Sequence, residues 1–276
     1  MKLIDFHAHA YPEAIARRAT LSICEFYDLK SEMTGTSAEK RRLDLENGIE
    51  RTLLLPVAMS PKNADRVNGF VREAAAADPA FAVFGTVHPD LPDLIGYAEG
   101  LFAAGHMGIK LHPDMQRVDI DDPRLLPLYD RMQGEYPLYL HAGDPRHPYS
   151  RPERIARIMD LFPRLTVVAA HLGSWSMQDT ALPLLARREN CIVDTSSAMS
   201  FMDPARAVRI IRAYGKDRVF FGTDYPVGDP AREAEAFGRL PLTDGEKEAI
   251  GHKNAEAFLR RYEKPLKRMN REGDGK

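Results

Sequence analysis

Residues able to bind a metal or move a proton stand at the ends of apolar runs throughout this chain. Lys2-Leu-Ile-Asp-Phe6 runs into His7-Ala-His9, and Pro137-Leu-Tyr-Leu140 runs into His141. Leu165-Thr-Val-Val-Ala-Ala170 stops at His171, and Arg218-Val-Phe-Phe-Gly-Thr223 stops at Asp224. Alternate side chains of a strand share a face, so His7 and His9 are expected to point together, with Ile4, Phe6 and Ala8 on the opposite face. A His-x-His pair alone also fits two solvated or hydrogen-bonded rings; four separate runs ending alike require one explanation.

Imidazoles joined by one carboxylate form a nitrogen-rich donor set that suits Zn²⁺ first, with Mn²⁺, Fe²⁺ or Co²⁺ as alternatives. Coordination lowers the pKa of bound water from about 15.7 to about 7, giving hydroxide at neutral pH. Asp224 is expected to hold the ion through one oxygen and take the water proton through the other. For His171, polarising a substrate carbonyl, carrying a proton, adding a weak ligand and simple core packing all stay open.

The elements that must position these residues alternate along the chain. Strands are expected near 2 to 9, 51 to 58, 82 to 88, 107 to 112, 137 to 142, 165 to 172, 191 to 197 and 218 to 224, from β-branched and aromatic runs bounded by turn residues. Leu94, Ile95, Ala98, Leu101 and Phe102 form a helical stripe, as do Ile155, Ile158, Met159 and Phe162. Asp122-Pro123, Asp203-Pro204 and Asp229-Pro230 read as helix N-caps followed by proline, and Thr243-x-x-Glu246 as a capping box. Strand and helix alternating eight times predict parallel strands closing into a distorted (β/α)8 TIM barrel of the α/β class. Residues at the C-terminal ends of such strands meet at one mouth. The alternative, an open doubly wound sheet, normally carries a glycine-rich phosphate turn where this chain has His-Ala-His. Residues 11 to 50 exceed a simple crossover and predict an insertion after the first strand, a helix and a loop over the mouth. One barrel domain is expected over 1 to 263, followed by a polar tail over 264 to 276.

With 276 residues, 44% hydrophobic and 28% charged, the chain can fill a globular core. A net charge of -2 offers no chain-wide basic field for nucleic acid. Two cysteines without a C-x-x-C spacing suggest neither disulfide framework nor thiolate zinc site and fit a reducing cytoplasm. No apolar run approaches about 18 residues, so neither a membrane span nor a signal peptide is expected.

These pieces, Ile4-Asp-Phe-His7-Ala-His9, Gly108-Ile-Lys-Leu-His-Pro113, Leu140-His141-Ala-Gly143, Ala170-His171-Leu-Gly173, Phe221-Gly-Thr-Asp224-Tyr-Pro226 and Asn254-Ala255, resemble the amidohydrolase superfamily. The resemblance is to its amidohydrolase-related group, which includes metal-dependent hydrolases and aminocarboxymuconate-semialdehyde-type decarboxylases. It implies that His7, His9, His141 and Asp224 hold one divalent metal, with His171 beside it. In some members a fourth-strand lysine is carboxylated and bridges two metals; Lys110 lies on that strand, and its Gly-Ile-Lys-Leu-His-Pro context resembles mononuclear members, where lysine contacts substrate or the aspartate. His112, two residues on, faces the same way or packs in the core. Trp175 and Tyr225 are expected to wall a planar substrate and Arg146 to bind a carboxylate.

The function expected first is metal-dependent hydrolysis of a C–O or C–N acyl bond, amide or lactone, in a small carboxylated substrate, with Asp224, His171 and Lys110 as catalytic residues. The alternatives are a metal-dependent non-oxidative decarboxylase of an aromatic or unsaturated acid, and a non-catalytic ligand-binding barrel. Beyond a small-molecule substrate, a homo-oligomer is the one partner left open.

Overall fold

Among the described residues, short β-branched and aromatic runs form nine parallel strands: β1 (Leu3–Ala8), β2 (Ile49–Leu54), β3 (Phe81–Val83), β4 (Gly85–Thr86), β5 (Ile109–Leu111), β6 (Leu138–Leu140), β7 (Val167–Ala169), β8 (Cys191–Asp194) and β9 (Val219–Phe220). The computed structural model describes residues 1–267. β3 and β4 are the expected third strand divided at Phe84, so eight staves remain. They fall into two sheets, β1-β2-β3 and β4 through β9 in sequence order. Two seams join them. Met107 N donates to Val83 O at 3.0 Å across one; across the other seam Phe6 N donates to Phe221 O at 2.8 Å and Asp224 N to His7 O at 2.7 Å. The result is the distorted (β/α)8 barrel.

Ile4, Phe6, Leu53, Phe84, Tyr139, Val168 and Phe220 fill the interior, and Phe258 from the helix Asn254–Tyr262 closes the bottom against Phe6, Phe84 and Phe220. Strict alternation fails in β1. A register shift between Asp5 and Ala8 lets Phe6 and His7 both reach Tyr139, with ring centroids 6.0 and 5.3 Å away, while Ala8 joins an outer cluster with Leu54 and Tyr225.

Asp203 and Asp229 cap the helices Pro204–Tyr214 and Pro230–Arg239, and Thr243 with Glu246 forms the capping box. Asp122 does not cap a helix. Its side chain accepts from Arg124 N at 2.9 Å and makes a local turn, so the helix begins at Leu126. The insertion holds two helices rather than one, α1 (Glu13–Tyr27) and α2 (Ser37–Glu46). Lys40 of α2 is buried, 2.9 Å from Asp5 and paired with Asp44, which ties the insertion to β1. Of the expected tail, Lys264–Lys267 run along the barrel, with Lys267 N donating to Ala104 O at 3.0 Å; residues 268–276 lie outside the described residues. No helix among the described residues is long and apolar enough to cross a membrane.

Candidate metal centre and cavity

The C-terminal ends of the strands carry the candidate metal ligands. His7 Nε2 and His9 Nε2 are 3.2 Å apart, and Asp224 Oδ1 lies 3.4 Å from the first and 3.5 Å from the second. Hydrogen-bond partners fix which atoms carry lone pairs. His9 Nδ1 is 2.6 Å from the Leu55 carbonyl, which only accepts, so His9 donates there and leaves Nε2 bare. Ser196 gives its one hydroxyl hydrogen to Asp194, so His7 Nδ1, 2.9 Å from that hydroxyl and 3.3 Å from Asp194 Oδ2, is the donor, and its Nε2 is bare too. Two lone pairs and a carboxylate oxygen thus face one point with no hydrogen between them. Their separations match the edge of a tetrahedron with bonds of about 2.1 Å, which is about 3.4 Å. The donor set fits a divalent cation.

The electrostatics agree. Burial, with the Lys110 ammonium nearby, lowers His7 to about 4 and holds His112 and His141 well below the ordinary imidazole value. All three are therefore neutral, the form that ligates. Burial pushes the carboxyls of Asp194 and Asp224 up, but the surrounding imidazoles outweigh it and hold both below their usual range. Asp224 and His171 have φ of 62° and 60°, left-handed conformations costly for such residues and held only by their surroundings. Gly222 passes so close that a Cβ there would lie 3.0 Å from His7 Cβ.

His141 stands one step from the His7–His9–Asp224 cluster. Its Nδ1 is 3.1 Å from His171 Nε2, its Nε2 is 3.1 Å from the Tyr27 hydroxyl, and His112 stacks on it with centroids 4.1 Å apart. Lys110 is fully buried, its Nζ 4.7 Å from the Tyr139 ring centroid and without a hydrogen-bond partner among the described residues. Burial pulls its pKa down to about 8.

Above the cluster lies a cavity of about 190 Å³. His9, His112, His141 and Asp224 form its polar end. Ile23, Leu29, Val57, Met59, Met115, Trp175 and Val227 form the walls, with Tyr11 and Tyr27 between, and among the described residues no lysine or arginine lines it. Trp175 is thus at the cavity, while Arg146 and Tyr225 are not. Asp144 engages the Arg146 guanidinium, with Nη2 to Oδ2 at 2.8 Å, and that guanidinium rests over the rings of Tyr27 and Trp175. The Tyr225 hydroxyl serves the insertion, donating to Thr36 O or Glu39 Oε2 and accepting from Gly35 N at 3.1 Å.

An amidohydrolase family model matches residues 4–261. The chain belongs to the amidohydrolase family. No curated protein matches this member. Among solved structures it is similar to an uncharacterised TIM-barrel protein from Bordetella bronchiseptica, at 22% identity over 95% of this chain and 99% of that one, with a TM-score of 0.79. It is also similar to 5-carboxyvanillate decarboxylase from Sphingomonas paucimobilis, at 17% identity over 94% and 99%, TM-score 0.70. A third is a dihydroxybenzoic acid decarboxylase from a Polaromonas species with bound manganese and 2-nitroresorcinol, at 18% over 94% and 97%, TM-score 0.69. The barrel and the metal-dependent amidohydrolase framework are therefore those of this protein.

Asp194, Ser196, Ser197 and Tyr27 escape a reading of the sequence. Asp194 ends the run Cys191-Ile-Val and carries the same signal as His141, an apolar strand stopping at a ligand-type side chain. Tyr27 has no such signal, because it lies within the insertion.

Proposed function

We propose that this amidohydrolase is a metal-dependent, non-oxidative decarboxylase of a single-ring or similarly compact unsaturated carboxylic acid. The observation that carries this reading is the cavity. Engineered cavities of about 150 Å³ accept benzene, so about 190 Å³ suits one substituted ring, and its walls are apolar with Tyr27 and Trp175 alongside. Because no lysine or arginine lines the walls, a substrate carboxylate belongs at the polar end. The neighbouring structures that act on dihydroxybenzoate and carboxyvanillate support the same choice over hydrolysis, the first expectation.

His7, His9 and Asp224 would hold one divalent ion, with His141 as the further ligand; manganese, bound in the Polaromonas enzyme, stands beside zinc as a candidate. When bound, the ion supplies Lewis acidity to the substrate's oxygens. The apolar walls hold the ring in place and exclude water. Breaking the carbon–carboxyl bond leaves an electron pair on the ring carbon, and that carbon takes up one proton. Asp224, ionised at rest, is the carrier placed to take that proton from water or a substrate hydroxyl and pass it to the carbon, since it lines the cavity and Ser197 Oγ fixes its other oxygen at 2.5 Å. His171 lies behind His141 with its Nδ1 turned to Ser196, so it positions His141. Burial, with the Lys110 ammonium adding to it, keeps His7, His112 and His141 neutral.

The test is a panel of hydroxybenzoates, unsaturated acids, lactones and amides, incubated with manganese-loaded and zinc-loaded enzyme and read by product mass. Loss of one carbon dioxide from a ring acid is the expected result. Gain of one water would overturn the proposal.

A further inference from the structure

Four polar side chains between the Met115 amide and the Ser196 carbonyl form a hydrogen-bonded chain whose direction is fixed at both ends. At one end Met115 N, which only donates, lies 3.3 Å from His112 Nδ1. His112 therefore carries its hydrogen on Nε2, 2.9 Å from the Tyr27 oxygen, and donates to it. At the other end the Ser196 carbonyl only accepts, so His171 Nδ1, 3.0 Å away, donates and His171 Nε2 accepts. That acceptor takes the Nδ1 hydrogen of His141 at 3.1 Å, which leaves His141 Nε2 bare to accept from the Tyr27 hydroxyl at 3.1 Å. The two ends demand the same polarity, running His112 to Tyr27 to His141 to His171.

Tyr27 thus points its one hydroxyl hydrogen at the lone pair with which His141 would hold the metal. We propose that Tyr27, delivered by the last turn of the insertion helix, is a catalytic residue. With His141 Nε2 serving as a ligand, His141 would no longer accept from Tyr27, and the Tyr27 hydroxyl would be free to turn its hydrogen to a substrate oxygen at the polar end of the cavity. His112 is the positioning residue that holds the tyrosine oxygen in place from behind. Tyr27 lines the cavity and is 7% exposed, and its ring packs against Trp175 and Phe26 at centroid distances of 5.2 and 4.9 Å. The ring is thereby fixed and only the hydrogen has freedom to reorient. This inference rests on the metal site proposed above, and on the decarboxylase reading only for its kinetic arm.

The experiment combines Tyr27→Phe with nitrogen-detected NMR of the imidazoles. In metal-free wild-type protein His112 is expected as the Nε2–H tautomer and His141 and His171 as Nδ1–H. Tyr27→Phe no longer competes for His141 and should bind Mn²⁺ or Zn²⁺ about threefold to tenfold more tightly by calorimetry, the worth of one hydrogen bond. Its kcat should fall by about 10²-fold with KM changed much less, as for loss of a donor to developing charge. His112→Gln, which keeps an N–H donor, should retain more turnover than His112→Leu. A His141 Nε2–H tautomer, unchanged or weaker metal binding by Tyr27→Phe, or wild-type kcat in that variant would overturn the proposal. If no acid is decarboxylated by any variant, the decarboxylase reading fails while the tautomer and metal arms still decide the role of Tyr27.

Discussion

Asp194 Oδ2 lies 3.3 Å from His7 Nδ1, on the side of that ring opposite His9. The same oxygen accepts from the Tyr139 hydroxyl at 2.5 Å, and Oδ1 accepts from Ser196 N at 2.9 Å. A buried carboxylate behind a ligand histidine fixes the ring's tautomer and raises its basicity. Asp194→Asn should weaken divalent metal binding by about 10- to 100-fold while leaving the circular dichroism spectrum unchanged. Wild-type affinity in a metal titration would show that His7 needs no such support.

The insertion is held by a buried charge. Lys40 Nζ lies 2.9 Å from Asp5 Oδ2, and Asp5 also accepts from Thr223 N at 2.9 Å and Thr223 Oγ1 at 2.5 Å. The residue next to Thr223 is Asp224, so one network links the insertion to the cage. Lys40→Met leaves two carboxylates buried without their cation, and breaking such a pair costs about 3–5 kcal/mol. Urea denaturation should show that loss; a change below about 1 kcal/mol would mean water reaches the network.

Tyr225 offers a milder version of the same test. Its hydroxyl bridges Gly35, Thr36 and Glu39, and a hydrogen bond to a charged group is worth about 1.5–3 kcal/mol. Tyr225→Phe should cost about that much and speed amide exchange over residues 29 to 36 more than in the barrel strands. Uniform exchange changes would place the hydroxyl's contribution elsewhere.

Glu233 predicts a pH dependence. It is fully buried on the helix Pro230–Arg239, takes the Ser200 hydroxyl on one oxygen and has no partner on the other among the described residues. Burial pushes its pKa from 4.5 up to about 7. Between those values the folded state binds more protons than the unfolded one, so this contribution is full below pH 4.5 and lost as pH rises through 7. Glu233→Gln should remove that slope, a difference of at most about 3 kcal/mol between pH 4.5 and 7.5. Parallel stability curves for the two proteins would contradict it.

Apolar runs ending in His7, His9, His141, His171 and Asp224 are local patterns, and a barrel brings such strand ends to one rim. That is why the fold, and the meeting of these side chains at one mouth, were legible in the sequence. The cavity was not. Its lid depends on how α1 folds back over the mouth, and nothing in Glu13–Tyr27 announces that Tyr27 will meet His112 and His141 across 85 and 114 residues of sequence. Arg146 shows the converse: its place after β6 suggested a carboxylate clamp, but Asp144, two residues earlier, claims the guanidinium first.

The claim on which the rest depends is that His7, His9 and Asp224 grip one divalent ion. It is tested most directly by counting metal per chain after loading with Mn²⁺ or Zn²⁺ and dialysis, in wild type, His9→Ala and Asp224→Ala. The account predicts one ion per wild-type chain and a loss of nearly all of it in each variant. Full occupancy in both variants would contradict it.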